Sequence, residues 1–465
     1  MWERDPRSFR LITTTNPATG ETIAEYETLD ENGIDRKLEQ ASRAYSDWKH
    51  SPMERRTELL NALGDLYEDN EEELARLAVT EMGKPITQAR GEVGKCASLF
   101  RYYAKEGPPM LDSRFWDLSD GGRAEARWLP QGPVLAVMPW NFPYWQVVRF
   151  LAPTILAGNV GVLKHASIVQ GVAKRMEELV LEAGGPEGLF QNLCVSSDPI
   201  GKVIDDPRIV AATLTGSEGA GSAVAERAGK NLKKVVLELG GTDPFIVMPS
   251  ADLDQAVKDA VFARIQNNGQ SCICGKRTIV HADIYEEFSD RFITALKDVK
   301  LGDPMNDDTE LGPLSSEGQR DTVLDQVKKA QEEGCTLVFG GEKIDRPGAW
   351  MTAGLLTDVP LASDTGTDEI FGPVGQLYKA KDIDEATTIA NAIPYGLGSA
   401  VWTNDEDEKE HFANAIEAGM TTFNAVNGSR IEAPFGGIKR SGHGRELADF
   451  GLHEFMNLKT LVHPA

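Results

Sequence analysis

The sequence predicts an α/β protein made of two successive series of parallel strands and helices, with a cleft between them. Three observations carry this expectation. Buried-strand runs at Val134-Leu135-Ala136-Val137-Met138 and Val160-Gly161-Val162-Leu163, and over 190–195 and 210–214, alternate with helix-spaced segments over 147–156 and up to Val180. Such alternation is the pattern of βαβ units. A second series starts near Val235, with strands over 245–248, 277–280, 336–339 and 399–402 separated by helices. Finally, 465 residues with 41% apolar content and 45 glycines leave room for two or three domains and many tight turns.

Taken in order, Asn16-Pro17-Ala18-Thr19-Gly20-Glu21 reads as a turn between two short extended stretches. Ile34, Leu38, Ala41, Tyr45 and Trp48 then mark one helix face. Leu59, Leu60, Leu63, Leu66 and Tyr67 mark a second. Leu74, Leu77, Ala78 and Met82 mark a third, stopped by Gly83-Lys84-Pro85. Between Leu111 and Trp128 the pattern loosens around Gly121-Gly122, as a linker or a hairpin leaving the main body. No internal repeat and no low-complexity tract interrupts the chain.

The formal net charge is −24, from 72 acidic and 48 basic residues. That balance disfavours nucleic acid or an anionic membrane as partner. A high-salt host would account for so acidic a surface. Runs such as Glu68-Asp69-Asn70-Glu71-Glu72-Glu73 and Asn404-Asp405-Glu406-Asp407-Glu408 read as solvated faces, not metal sites. No apolar run approaches a membrane span, and Met1-Trp2-Glu3-Arg4-Asp5-Pro6 has no secretory pattern. The five cysteines (Cys96, Cys194, Cys272, Cys274 and Cys335) form no disulfide framework. With dispersed histidines and no paired ligand motif, no metal is expected. The chain reads as soluble and cytoplasmic.

Four local patterns could carry chemistry. Asn267-Asn268-Gly269-Gln270-Ser271-Cys272-Ile273-Cys274 lies between an apolar helix over 256–265 and the strand over 277–280, and presents a sulfur at the end of an element. A working Cys272 needs a base and an anion-stabilising donor; otherwise it is a small buried hydrophobe. Glu238, in Glu238-Leu239-Gly240-Gly241, sits inside an apolar strand end, where burial raises a carboxylate toward general-base range. A pairing with a structural lysine is the alternative. Asn141, in Trp140-Asn141-Phe142-Pro143, follows a strand and either donates to an oxyanion or holds a turn. Gly216-Ser217-Glu218-Gly219-Ala220-Gly221 turns from strand to helix, either cradling a phosphate or serving the turn alone. His165 beside Lys164 is equally packing or catalytic.

Together these residues resemble the aldehyde dehydrogenase superfamily along essentially the whole chain. The asparagine, glutamate and cysteine motifs occur in the family's order. Glu369-Ile370-Phe371-Gly372-Pro373 and Pro434-Phe435-Gly436-Gly437 match two further motifs. The resemblance implies an aldehyde dehydrogenase-like α/β fold with a Rossmann-like cofactor domain over 1–110 and 132–240 and a catalytic domain over 241–445. Stretches 111–131 and 446–465 would form a small β oligomerisation element of a homodimer or homotetramer.

It also implies that Cys272 attacks an aldehyde while Asn141 and the Cys272 backbone N–H hold the oxyanion. Glu238 then activates water, and Glu446 matches a glutamate linked to proton relay. The cofactor, NADP or NAD, would be held by Met138, Trp140, Lys164, Ser167, Gly216, Ser217, Gly221, Glu369 and Phe371. Ser167, three residues past Lys164, stands where NAD-selective members carry glutamate, so NADP is favoured.

Within the superfamily, 138–146 and 163–167 look like the short bacterial succinate semialdehyde dehydrogenases. Arg149 matches an arginine for the substrate's distal carboxylate, which suits a bidentate guanidinium. Gln266 departs from a second arginine there, and Arg430 would replace it. That departure keeps another semialdehyde acid, or a less selective aldehyde, as an alternative substrate. Some members close a disulfide across the arrangement at Cys272 and Cys274. A non-catalytic binding or structural relative is the reading from another class, and a phosphorylating or thioester-transferring dehydrogenase is a third. Intact Cys272, Glu238 and Asn141 weigh against the first of these, and Glu238 against the second.

Overall fold

The structure, a computed structural model, describes residues 11–465, so the reading at Met1 to Pro6 lies outside the described residues. Strands Leu11–Thr15 and Thr22–Glu27 pair across the turn at Asn16, whose side chain accepts from the Ala18 N–H at 2.9 Å. The three helical faces fold as Glu31–Trp48, Met53–Asp69 and Glu71–Met82. Asp30 caps the first by accepting from the Gly33 N–H. Gly83, at φ 82°, ends the third in the left-handed conformation that glycine adopts without strain.

A fourth helix, Ile86–Met110, fills a stretch the sequence reading leaves without an element. Its buried Ile86, Ala89, Val93, Cys96, Phe100 and Tyr103 keep a helical spacing. The stretch after Leu111 is a hairpin, Arg114–Asp117 with Arg123–Pro130, which also pairs along its length with Met456–His463. Phe115, Trp116, Leu458 and Val462 on this three-stranded sheet are exposed.

A six-stranded sheet runs Gly442–His443, Lys234–Glu238, Ala211–Thr215, Pro133–Met138, Val160–His165, Phe190–Asn192. Five of its strands are parallel, and Gly442–His443 is antiparallel to Lys234–Glu238. Strand order reverses between Pro133–Met138 and Ala211–Thr215, so their carboxyl ends open a crevice where ligands bind in doubly wound folds. Val134, Leu135 and Ala136 are fully buried because helices cover both faces.

The second sheet has seven strands, ordered Thr336–Gly340, Gly354–Thr357, Val374–Ala380, Arg277–His281, Pro244–Val247, Ala400–Trp402, Thr422–Phe423. Alternate residues serve opposite faces. Ile246 and Ile279 join Val323 and Ile389 in one core, while Val247 and Val280 join Ala260 and Phe292 in another. The strands at Gly354, Val374 and Thr422 are additions to those expected from the sequence.

Candidate active site

The cysteine loop is held by long-range bonds. After helix Leu253–Ile265 the chain passes through Asn267, Asn268 and Gly269 at φ 53°, 59° and 75°. Two asparagines in succession at left-handed φ persist only where surroundings over-determine them. Here the Asn268 amide donates to the carbonyls of Gly83 and Pro313 at 2.9 and 2.7 Å, and its oxygen accepts from the Gly312 N–H at 2.7 Å. Gln270 accepts from the Ser315 N–H at 2.9 Å, and Arg264 donates to the Gly269 carbonyl at 2.9 Å. A Cβ on Gly269 would stand 2.3 Å from the backbone of Gly372, so the loop rests directly on the Phe371 segment.

Asn141 meets this loop. Its amide donates to the Gln270 carbonyl at 3.0 Å, and its own carbonyl accepts from Asn267 at 2.7 Å. A primary amide has two N–H donors, so one remains for an oxyanion. Cys272 and Asn141 line one cleft with Trp140, Glu238 and Gly240, with Gly216 and Ser217 at the switch point, and with Glu369 and Phe371 from the second half of the chain. Phe371 stands edge-on to Trp140, with ring centroids 5.8 Å apart. Gln146, Thr215 and Gln319 also line it, none of them singled out by the sequence reading.

Glu238 in the cleft and Glu446 outside its lining both feel the charge of one guanidinium. Arg149, buried on helix Trp145–Ala157, pairs with Glu446 at 2.8 Å and lies over the Phe435 ring at 4.4 Å. Burial, then the charge of Glu446, holds the Glu238 carboxyl well above the usual range; Arg149 opposes the rise. Burial likewise raises Glu446, with Arg149 opposing. Both oxygens of Glu238 lack a hydrogen-bond partner among the described residues, whereas Glu446 has its ion pair with Arg149. Burial pushes the Cys272 thiol up to about 12, against the opposing charges of Lys276 and Arg149. At neutral pH such a thiol is almost wholly protonated, so attack requires a base or added positive charge.

Several expected site residues stand elsewhere. Gly221 does not line the cleft: a Cβ there would meet Leu239 at 2.5 Å, so this glycine lets helix Glu218–Lys230 pack onto the strand end. Met138 is buried at the end of its strand, outside the cleft lining. Arg430 is exposed and, like Arg149, outside that lining. Glu369 lines the cleft with its carboxylate already paired to Lys276 at 2.8 Å. His165 is structural: its ring contacts the Met138 and Pro143 carbonyls, and burial lowers it to about 4. Cys274 is buried and its thiol donates to the Gln266 carbonyl at 3.7 Å; both cysteines are free. Among the described residues no acidic, histidine or cysteine cluster could hold a metal ion, and no helix is long and apolar enough to cross a membrane.

The crevice fits a dinucleotide. Lys164 and Thr215 sit on the two strands flanking Pro133–Met138. Burial alone acts on the Lys164 ammonium, lowering its pKa, and the Thr215 hydroxyl has no hydrogen bond among the described residues. Ser167 opens the short turn after the Lys164 strand. Ser217 caps a helix N-terminus at the crevice, accepting from the Ala220 N–H, where phosphate is favoured.

A fold with this crevice, joined to a cysteine, an amide and a buried glutamate, defines a thiol-dependent oxidoreductase. Residues 3–461 match the aldehyde dehydrogenase family, and the chain belongs to that family. It is 49% identical to a succinate-semialdehyde dehydrogenase (NADP(+)) of Mycobacterium avium strain 104, over 97% of this chain and 96% of that one. It is 46% identical to succinate-semialdehyde dehydrogenase (NADP(+)) 1 of Mycobacterium bovis strain BCG / Pasteur 1173P2, over 97% of this chain and 99% of that one. The crystal structure of succinic semialdehyde dehydrogenase from Streptococcus pyogenes with NADP+ superposes at a TM-score of 0.95, with 40% identity over 98% of this chain and all (100%) of that one.

Proposed function

We propose that the protein oxidises succinate semialdehyde to succinate with NADP. One observation carries the choice of substrate. Two cations, Arg149 and Arg430, lie within electrostatic reach of a third, Lys95, and Arg149 acts on the Cys272 thiol. Glu446 meets Arg149 at one nitrogen, while the Arg149 Nε has no hydrogen-bond partner among the described residues. Lys95 has neutral oxygen partners, donating to the Ser429 carbonyl and hydroxyl at 2.7 and 2.8 Å, and lies 4.1 Å over the Trp145 ring. The remaining charge suits an aldehyde with a distal carboxylate. The names of the relatives agree with this reading.

In the reaction, the Cys272 thiol gives its proton to solvent water, favoured by the charges of Lys276 and Arg149, and the sulfur attacks the carbonyl carbon. The free N–H of Asn141 and the Cys272 backbone N–H hold the oxyanion. Bound NADP supplies the hydride acceptor. Loss of hydride leaves a thioester on Cys272. Glu238 takes a proton from water, whose oxygen attacks the thioester, and the thiol is restored as the acid leaves. Glu446, paired with Arg149, offers the next proton site. Lys164 and Glu369 would bind ribose hydroxyls, Ser217 the pyrophosphate, and neutral Ser167 leaves room for a 2′-phosphate.

The domain division at 1–110 with 132–240, 241–445, and 111–131 with 446–465 belongs to the same reading. The exposed apolar residues of the three-stranded sheet support self-association through that last element. Oxidation across Cys272 and Cys274 also belongs to it: peroxide should inactivate the enzyme reversibly, with loss of two hydrogens on the peptide holding both.

Initial rates with a panel of aldehydes, each with NAD and NADP, test the proposal. The expected result is the highest kcat/KM for succinate semialdehyde with NADP. Equal kcat/KM for butanal would replace it with a broad-specificity aldehyde oxidiser.

A further inference from the structure

Lys276 stands at the entry of strand Arg277–His281, two residues beyond Cys274, with a side chain only 2% exposed. A lysine this deep is unfavourable unless its charge and donors are satisfied. Its ammonium donates to the Ser271 carbonyl at 2.8 Å and the Cys272 carbonyl at 2.7 Å, and pairs with Glu369 at 2.8 Å. An ammonium has three donors, and two carbonyls and one carboxylate surround this one. Two of the acceptors flank the Cα of the nucleophile. The first belongs to the peptide whose N–H is that of Cys272. A cation on that carbonyl polarises the peptide and strengthens its N–H as a donor.

The third acceptor ties this clamp to the opposite wall of the cleft. Gly240 makes room for it, since a Cβ there would lie 2.7 Å from a Glu369 oxygen. The charged groups acting on the Cys272 sulfur come from four segments: Lys276 from its own turn, Arg149 from helix Trp145–Ala157, Glu369 from the loop before Val374, and Asp243 before strand Pro244–Val247. Glu238 lines the same cleft. Lys276 and Arg149 favour the thiolate; Glu369 and Asp243 oppose it.

We propose that Lys276 is the positioning residue of the nucleophile: it fixes the peptides on both sides of Cys272 and, in balance with Glu369, supplies the buried charge against which the thiolate forms. The inference rests on Cys272 being the nucleophile. It gives the two neighbours opposite signs. Removing the ammonium should make the thiolate harder to form; removing the carboxylate should make it easier, because the ammonium remains.

The test is the pH dependence of iodoacetamide alkylation of Cys272 in the full-length protein, read by peptide mass spectrometry. Lys276→Gln should displace the curve to the alkaline side by about one unit, about a tenfold slower reaction at fixed pH. Lys276→Arg should stay within about twofold of wild type, since it keeps the charge. Glu369→Gln should displace the curve to the acid side. Mere loosening of the loop would speed alkylation of Lys276→Gln, the opposite sign. Curves for Lys276→Gln and Glu369→Gln that coincide with wild type, or move together, overturn the proposal. Should Lys276→Gln not fold, the acid displacement in Glu369→Gln is still required, and its absence overturns the proposal alone. Acid formation that persists in Cys272→Ala instead removes the nucleophile assignment, and the inference with it.

Discussion

On the nucleophile's side of the cleft, Arg264, Asn267, Asn268, Gln270 and Lys276 all hydrogen-bond the loop that carries Cys272 or anchor it to distant backbone. On the opposite side, both oxygens of Glu238 lack a hydrogen-bond partner among the described residues, and Glu446 meets Arg149 in an ion pair. The difference follows the work of each half. An attacking sulfur and its oxyanion donors gain from being fixed before substrate arrives. A base that collects a proton from water needs acceptor oxygens left unclaimed. Under the proposed mechanism the restrained half serves thioester formation and the unclaimed half thioester release.

Four substitutions probe that division, from the largest effect down. Cys272→Ala should abolish acid formation while leaving the thermal midpoint close to wild type, because the sulfur anchors nothing; wild-type turnover would end the assignment. Arg149→Leu should raise KM for succinate semialdehyde by roughly one to two decades, the worth of a charged hydrogen bond of about 1.5–3 kcal/mol. It should leave KM for butanal nearly unchanged. Because Arg149 also opposes the rise of both carboxyls, the kcat profile should move to higher pH with either aldehyde. The base must be ionised, and removing the cation raises its pKa further. Equal KM losses on both aldehydes would make Arg149 a purely structural partner of Glu446.

Asn268→Ala strikes the restrained half. It removes three buried hydrogen bonds and leaves two carbonyls and one N–H unsatisfied, a loss of about 3 kcal/mol in unfolding free energy. Denaturant titration should register it, with thioester formation slowed more than release. Ser167→Glu is the mildest: discrimination should swing toward NAD by charge repulsion with a 2′-phosphate, with kcat for NAD unchanged. An unaltered ratio of kcat/KM values for the two cofactors would dissociate Ser167 from cofactor choice.

Much of this was legible in the chain because it is written locally. Strand ends at Met138, Thr215 and Glu238 follow from short apolar runs, and the residues just past them gather at the crevice. Five short motifs in order, from Asn141 to Pro434, were enough for the family. What remained hidden depends on contacts between distant segments. The left-handed pair at Asn267 and Asn268 is stable only because Gly83 and Pro313 come to meet it. Arg149 looks like a free substrate ligand until the fold delivers Glu446 to its guanidinium. Gly221 fits a phosphate turn until Leu239 fills the space beside it. Lys276 did leave a trace, as a charge entering an apolar strand beside the cysteine, and such a charge demands buried partners.

The division between the two halves is tested most directly by a rapid-quench experiment on Glu238→Gln with succinate semialdehyde and NADP. This substitution replaces a buried carboxyl whose ionisation opposes folding, since its folded pKa is raised; stability at neutral pH should hold or rise. The account predicts a stoichiometric burst of NADPH, then turnover slowed by about 10²–10⁴-fold, with the quenched protein carrying a succinyl thioester on the Cys272 peptide. A variant that turns over at the wild-type rate, or that shows neither burst nor acyl group, would contradict it.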